Sequence, residues 1–279
     1  MPLSLTYHVP PAQLLPYIAG GYVLSSSAPV EYSEVSSLLG QLHWQLRGRI
    51  AYDDASSRFR PVPRNAVIGA TTRSPDVRFH GPFKMVGVGL LPAGWRRWLR
   101  VPATHCQNLI APMAAFAPEL ASLGPMLDPD MPDAALAAAV YARLASALPE
   151  ATDIERVIFA IDQWLVRDAR EVRSLVDDLA ISHRQLNRIA LETHGAPLRL
   201  LGVKFRTLRC AARLASGAAT GWSDAMIDEF CDQPHLIKNF RRFVGATPSA
   251  FLSEQASFNR EIMRQRLIIR ADNPLAAWG

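Results

Sequence analysis

Asp232-Gln233-Pro234-His235-Leu236-Ile237-Lys238-Asn239-Phe240-Arg241-Arg242-Phe243-Val244-Gly245-Ala246-Thr247-Pro248-Ser249-Ala250-Phe251 is the stretch that settles how the C-terminal half of this 279-residue chain folds. Asp232 is a side chain that caps a helix start. Pro234 is tolerated in the first turn, where its missing N–H is not needed. Leu236, Ile237 and Phe240 recur at helical spacing and are expected to face a core, which leaves Gln233, His235 and Lys238 pointing outward, with Arg241 and Arg242 as phosphate contacts. Gly245-Ala246-Thr247-Pro248 ends this helix, and Pro248 opens a last one through Phe251 and Leu252. Just upstream, Ala225, Met226 and Phe230 predict a short helix over 224–230.

Further upstream, Pro197 opens a long segment, Leu198 to Ser216, that Gly217 ends. Leu201, Phe205, Leu208, Ala212 and Ala215 form its apolar stripe, and at about 1.5 Å per residue the rod is roughly 28 Å long. Before it, Val172, Leu175, Val176 and Leu179 mark one amphipathic helix. Ser182 followed by Gln185 is a capping box that starts another. That helix buries Leu186, Ile189 and Ala190 and turns out His183, Arg184, Asn187 and Arg188. Between His183 and Arg213 stand seven basic residues (Arg184, Arg188, Arg199, Lys204, Arg206, Arg209, Arg213) against one acid, Glu192. Lys238, Arg241 and Arg242 form a second basic cluster. Basic side chains gathered on a face neutralise phosphates and release counterions. Two short polar helices held apart by a rod near the ~34 Å repeat of the major groove are the parts of a double helix-turn-helix. In such a unit Arg reads guanine and Asn reads adenine.

The 232–251 stretch resembles the C-terminal signature of the AraC/XylS family of transcription regulators: a recognition helix, an aromatic, a glycine, then Thr-Pro before a final aromatic. Ser182-His183-Arg184-Gln185-Leu186-Asn187-Arg188, followed by His194-Gly195-Ala196-Pro197, resembles the family's first recognition helix and its turn, so the likeness covers about residues 151–255. It implies a cytoplasmic, non-enzymatic regulator whose two heads occupy successive major grooves of a double-stranded operator. Arg184, Asn187 and Arg188 stand at base-reading places in the first head, and Gln233, Pro234, His235 and Lys238 in the second. Two positions depart from the family pattern, which has glycine in each turn: here they hold Ala180 and Glu229. Glu229 is expected to bring an acid near DNA, and Pro234 removes a backbone donor. The alternative that these departures raise is a ligand-binding or interaction module whose DNA binding is weakened or lost.

Residues 1–125 read as a β-rich domain, barrel or sandwich-like, so the chain is α+β. Ala66-Val67-Ile68, Leu42-His43-Trp44-Gln45-Leu46 and Met85–Leu91 predict strands. His80-Gly81-Pro82 and Pro92-Ala93-Gly94 predict turns, and short helices are expected over Pro11–Ile18 and from Trp95 to Leu99. Residues 126–150 form a proline-rich linker and an alanine-rich helix that Pro149 stops, and 256–279 form a C-terminal helix and tail. Val67–Thr72 and Met85–Gly94 resemble a companion domain of such regulators. By analogy this domain binds a small-molecule effector or makes a homodimer.

The composition is globular, at 49% hydrophobic and 20% charged, with a net charge of +5. No apolar run is long enough for a bilayer span, and no signal-peptide pattern opens the chain, so no membrane partner is expected. Cys106, Cys210 and Cys231 read as reduced packing residues. His8, His43, His80 and His105 lack metal-ligand spacing, and no nucleophile–base pair stands out, so neither a metal, a cofactor nor a catalytic group is expected. Trp95-Arg96-Arg97-Trp98 reads as buried tryptophans flanking solvated arginines.

Overall fold

Alternating apolar residues and β-branched runs put eight strands in the N-terminal half: β1 Leu3–His8, β2 Ile18–Ser26, β3 Val30–Glu34, β4 Gly40–Asp53, β5 Phe59–Pro61, β6 Asn65–Ile68, β7 Asp76–Leu90 and β8 Ile110–Pro112. In the computed structural model, which describes residues 3–27, 30–35, 39–53, 59–167, 169–219, 221, 224, 229–230, 232–253 and 257–269, they form one antiparallel sheet. Its order is β1-β2-β7-β4-β6-β8, with β3 added to β7 and β5 to β4. The chain is α+β, as expected.

Two local expectations fail here. His80-Gly81-Pro82 is not a turn but lies inside the 15-residue β7. Gly81 takes φ +72, and the partner strand β4 shifts register between Gln45 and Arg47 and again between Arg47 and Arg49. The bulge absorbs the proline's missing donor without ending the strand. Likewise Pro11–Ile18 is only a 3-10 turn over Ala12–Leu14, because Ile18 already pairs with Leu90 in the sheet.

Successive strand residues point to opposite faces, and both faces are covered. Val23, Leu42, Trp44, Val67, Val86 and Val88 pack under α1 (Pro92–Trp98), the short α2 (Pro118–Ala121) and α3 (Asp133–Ser146). Tyr22, Leu24, Ala66, Ile68, Phe79 and Met85 line the other face. The alanine-rich α3 belongs to this packing and does not merely span a linker, since Leu136, Val140 and Leu144 are fully buried against the sheet side. Its Tyr141 hydroxyl donates to His8 O (2.5 Å) and accepts from Gly21 N (2.8 Å). A Cβ at position 21 would sit 2.7 Å from that oxygen, so only glycine permits the approach.

The C-terminal half is helical: α4 Glu155–Arg167, α5 Val172–Leu179, α6 His183–His194, α7 Leu198–Ser216, α8 Gln233–Val244, α9 Pro248–Leu252 and α10 Ser257–Ile269. The central α7 buries Leu201, Phe205, Leu208, Ala212 and Ala215, the expected stripe, and also Lys204, Thr207, Cys210 and Ala211. It is therefore enclosed on more than one side. The helix expected over 224–230 falls mostly on residues outside those described, as does Cys231. Cys106 and Cys210 are buried thiols outside any disulfide, and burial pushes the Cys210 thiol up to about 12. No helix among the described residues is long and apolar enough to cross a membrane.

The turn between α5 and α6 carries a strain that sequence alone left open. Ala180 closes α5 at φ 52, ψ 37, in the left-handed region where a Cβ costs about 1–2 kcal/mol. Ala180→Gly relieves this and loses some of it to unfolded-state entropy, so a net gain of ~1 kcal/mol is expected in urea denaturation. An unchanged or lower midpoint would show that the turn is unstrained.

Candidate functional site

α6 begins where Ser182 Oγ accepts a hydrogen bond from Gln185 N (3.2 Å), and it ends on Gly195 in the left-handed conformation. Leu186, Ile189 and Ala190 are buried, while His183, Arg184, Gln185 and Arg188 are exposed. Arg188 is 62% exposed and pairs with Glu192 at 2.8 Å, one turn on. A surface pair of this kind is worth at most about 1 kcal/mol and is readily exchanged for another anion. Asn187 is held differently. Its Oδ1 accepts from Leu198 N at 3.1 Å, capping the start of α7, so its carbonyl is already spent and the amide does not present an unused donor–acceptor pair to a base.

The base of α6 is locked to α4. His194 Nε2 lies 2.8 Å from Asp162 Oδ1, and Nδ1 lies 2.7 Å from Thr193 Oγ1. The Thr193 hydroxyl gives its only proton to Ile189 O (2.7 Å), so Nδ1–H must be the donor to it. A second proton then sits between Nε2 and the carboxyl, where burial pushes the Asp162 carboxyl up and the histidine bond pulls it back.

α8 repeats the design. Asp232 Oδ1 accepts from His235 N at 2.7 Å, and Leu236, Phe240, Phe243 and Val244 are buried. Ile237 is only half-buried, and Asn239 takes an inward place with its Nδ2 bonded to His235 O. Gln233, Pro234, His235, Lys238, Arg241 and Arg242 are exposed. The His235 ring meets Phe230 edge-on, with centroids 5.7 Å apart. Thr247 caps α9 through Ala250 N (3.1 Å).

Four expectations change once side chains are placed. Of the seven basic residues between His183 and Arg213, only Arg184, Arg188 and Arg199 are exposed. Glu229 does not project toward a ligand; it forms a two-point pair with Arg209 (2.7 and 2.8 Å), and that guanidinium also donates to Leu165 O. Arg242 is not available as a simple phosphate contact. Its Nε donates to Thr72 O (3.0 Å) and its carbonyl accepts from Ser74 N (2.7 Å), which ties α8 to the loop before β7. Finally, of the arginines flanked by Trp95 and Trp98, Arg97 is buried rather than solvated and pairs with Glu155.

The same loop is held by a buried lysine. Lys204 is 3% exposed, and its Nζ donates to Thr71 O at 2.8 Å. Burial lowers its ammonium from 10.5 to about 7. A depressed lysine binds fewer protons folded than unfolded, so stability is fully present above the unfolded value and is lost as pH falls through the folded one. Relative to Lys204→Met, the wild-type protein is expected to gain about 2 kcal/mol between pH 7 and pH 9. Parallel stability curves for the two proteins across that window would refute this.

A second feature lies on the inner face of the sheet. A narrow cavity is walled by apolar residues of β1, β2, β4 and β7, with Tyr22, Gln41 and His43 on its wall and Arg266 of α10 at its edge. Tyr22 Oη donates to Gln41 Oε1 at 2.6 Å and lies 2.8 Å from His43 Nε2. No group of three His, Cys, Asp or Glu among the described residues converges to hold a metal ion.

Sequence reading missed the cavity and the ties between the halves. Leu42-His43-Trp44-Gln45-Leu46 alternates like a strand with one wet face, yet Gln41, His43 and Gln45 are all buried. Nothing local in β4 signals that a helix from the other end of the chain lines the cavity beside Gln41 and His43, or that the Gln45 amide is taken up by Val62 O and Pro63 O.

No family model matches the chain, and no curated protein matches it in sequence. Among solved structures, ToxT from Vibrio cholerae O395 bound to (E)-4-(8-methylnaphthalen-1-yl)but-3-enoic acid is similar at 12% identity, over 90% of this chain and 98% of that one, with a TM-score of 0.48. Wild-type ToxT from strain SCE256 with an unsaturated fatty acid bound is similar at 11% identity over 82% and 93%, with a TM-score of 0.46. The AraC-like transcriptional activator CuxR is 13% identical over 72% and 83%, with a TM-score of 0.28.

Proposed function

We propose that the chain is a sequence-specific, DNA-binding transcription regulator of the AraC type, without enzymatic activity, working in the cytoplasm on a double-stranded operator. The observation that carries this reading is the pair of capped helices α6 and α8. Each buries one apolar face and exposes a polar, basic one, and they flank the 19-residue α7. Arg184 and Arg188 are the base readers of the first head, with His183 beside them. Gln233 and His235 are those of the second, with Lys238 and Arg241 on phosphate. The β-rich part, residues 1–125, is the sensor or dimerisation module, with the helix of 126–150 packed on it, and a small-molecule effector acts through it on residues 151–255.

Glu229 no longer argues for lost DNA binding, because Arg209 neutralises it. The commitment of Asn187 and Arg242 to internal partners does favour a weaker-binding form, in which the N-terminal loop holds the second head. The test is a titration of purified protein against selected duplexes at several salt concentrations. Binding should fall about linearly in log–log with a slope near −0.9 per neutralised phosphate. Absence of any preferred duplex would reject the regulator reading in favour of an interaction module.

A further inference from the structure

We infer that Arg209 is a positioning residue for operator recognition: with Glu229 it forms a strut that ties both heads to α7 and so fixes the spacing of the two half-sites that the chain accepts. This deepens the two-head reading above and rests on it for what the strut is for, while the strut's hold on the heads is measurable without DNA.

The guanidinium sits where three segments meet. Its Nη1 donates to Leu165 O at 2.6 Å, while Nε and Nη2 donate to Glu229 Oε1 and Oε2 at 2.7 and 2.8 Å. Leu165 lies in the last turn of α4, whose carbonyls have no partner within the helix, and a cation there also meets the negative end of the helix dipole. The side chains of Arg209 and Glu229 are 17% and 12% exposed, so this pair is shielded from solvent in a way that the surface pair of Arg188 with Glu192 is not. A planar fork engaged at all three nitrogens has little freedom left to turn.

From Arg209 the contacts run on into each head. α4 holds the base of α6 through Asp162 and His194. On the other side, Glu229 is followed by Phe230, whose ring lies 5.5 Å from the Arg206 guanidinium of α7 and meets the ring of His235 in the first turn of α8. A rod by itself sets how far apart two heads stand and leaves each free to roll about its axis. Side-chain ties away from that axis remove the rotation. Position 229 is where glycine would be usual, and glycine cannot make this bond, so the acid adds to the joint. Each base pair inserted between two half-sites shifts one of them by about 3.4 Å and turns it by roughly 35°. A joint that cannot roll accepts one spacing.

The experiment has two arms on the full chain. In the first, the selected duplex is compared with versions carrying one base pair more or fewer between its half-sites. For the wild type either change is expected to cost about tenfold or more in affinity, the loss of at least one base contact. Glu229→Ala leaves Arg209 on Leu165 O and should cut that cost to about threefold or less, with the base preference inside each half-site unchanged, and Glu229→Asp should keep part of the discrimination. A mere loss of stability would weaken binding equally at every spacing. In the second arm, without DNA, spin labels at Gln185→Cys on α6 and Ser249→Cys on α9 report the distance between the heads, in a Cys231→Ser background with the buried Cys106 and Cys210 left in place. α9 moves with α8, since Phe251 packs on Phe240. The distance distribution should be narrow in the wild type and clearly broader in Glu229→Ala. Equal widths, or a spacing cost that Glu229→Ala leaves unchanged, would overturn the strut. If no duplex binds at any spacing the regulator reading fails, and the label distances alone decide whether Arg209 holds the heads. Arg209→Lys, which keeps the charge but lacks the planar fork, supplies the same comparison should Glu229→Ala fail to fold.

Discussion

Arg97→Met is expected to destabilise the protein by about 3–5 kcal/mol, the cost of leaving one member of a buried ion pair without its partner. Arg97 and Glu155 are 6% and 9% exposed at their side chains, and they meet at two points, Nε to Oε1 at 2.6 Å and Nη2 to Oε2 at 3.0 Å. The guanidinium also donates to Pro149 O (2.7 Å) and to Tyr17 Oη (2.5 Å), and lies 4.1 Å from the centre of the Tyr17 ring. Methionine keeps the apolar stem in place but supplies no counter-charge, so Glu155 must stay ionised in a dry site or take up a proton. The double variant Arg97→Met with Glu155→Leu should recover most of the loss, because the penalty lies in the stranded charge more than in the missing attraction. Urea denaturation of the three proteins tests this. A single-variant loss below 1 kcal/mol, or a double variant no better than the single, would mean that solvent reaches the pair. Arg97 lies on α1 and Glu155 starts α4, so the variant also reports how firmly the sheet side holds the helical half.

Arg188→Ala combined with His235→Ala is expected to lower affinity for the selected operator by about 10²-fold or more, with circular dichroism unchanged. Each residue stands on the exposed face of its own helix, so the two losses should add, and each base contact is worth about 1–3 kcal/mol. Both side chains have partners that survive their removal: Glu192 is itself part-exposed, and Phe230 stays in its core. Folding should therefore be untouched. Lys238→Ala supplies the contrast, weakening all sequences about equally and reducing the salt slope by about one. Operator affinity within threefold of wild type in the double variant would dismiss these residues as readers.

Much of the helical half was legible from sequence because its signals are short-range. Ser182 and Asp232 each cap the helix expected of them, through a backbone N–H three residues on, and Pro248 opens the last helix as expected, behind a Thr247 cap that the structure adds. The apolar faces of α5, α6 and α7 follow from periodicity alone. The β-rich half was legible in β4, β6 and the end of β7, but not in its other strands or in the fate of its punctuation. Gly81-Pro82 is a bulge within β7 because β4 pairs on both sides of it, Arg49 with His80 and Arg47 with Lys84, while β3 pairs before it and β2 after it, and that depends on residues 18–53 as much as on residue 82.

By itself, then, the sequence determined the helices of the C-terminal half, three of the strands, the caps at Ser182 and Asp232, and which side of α6 and α8 faces out, since each depends on side chains within a few positions of one another. Only the tertiary structure decided which charges are free. Lys204 lies against Thr71, Arg242 against Thr72, Arg209 against Glu229 and Arg266 against Tyr7, pairs that are 133, 170, 20 and 259 residues apart. A charge acts through the dielectric and the partners around it, and those are supplied by whatever the fold brings near.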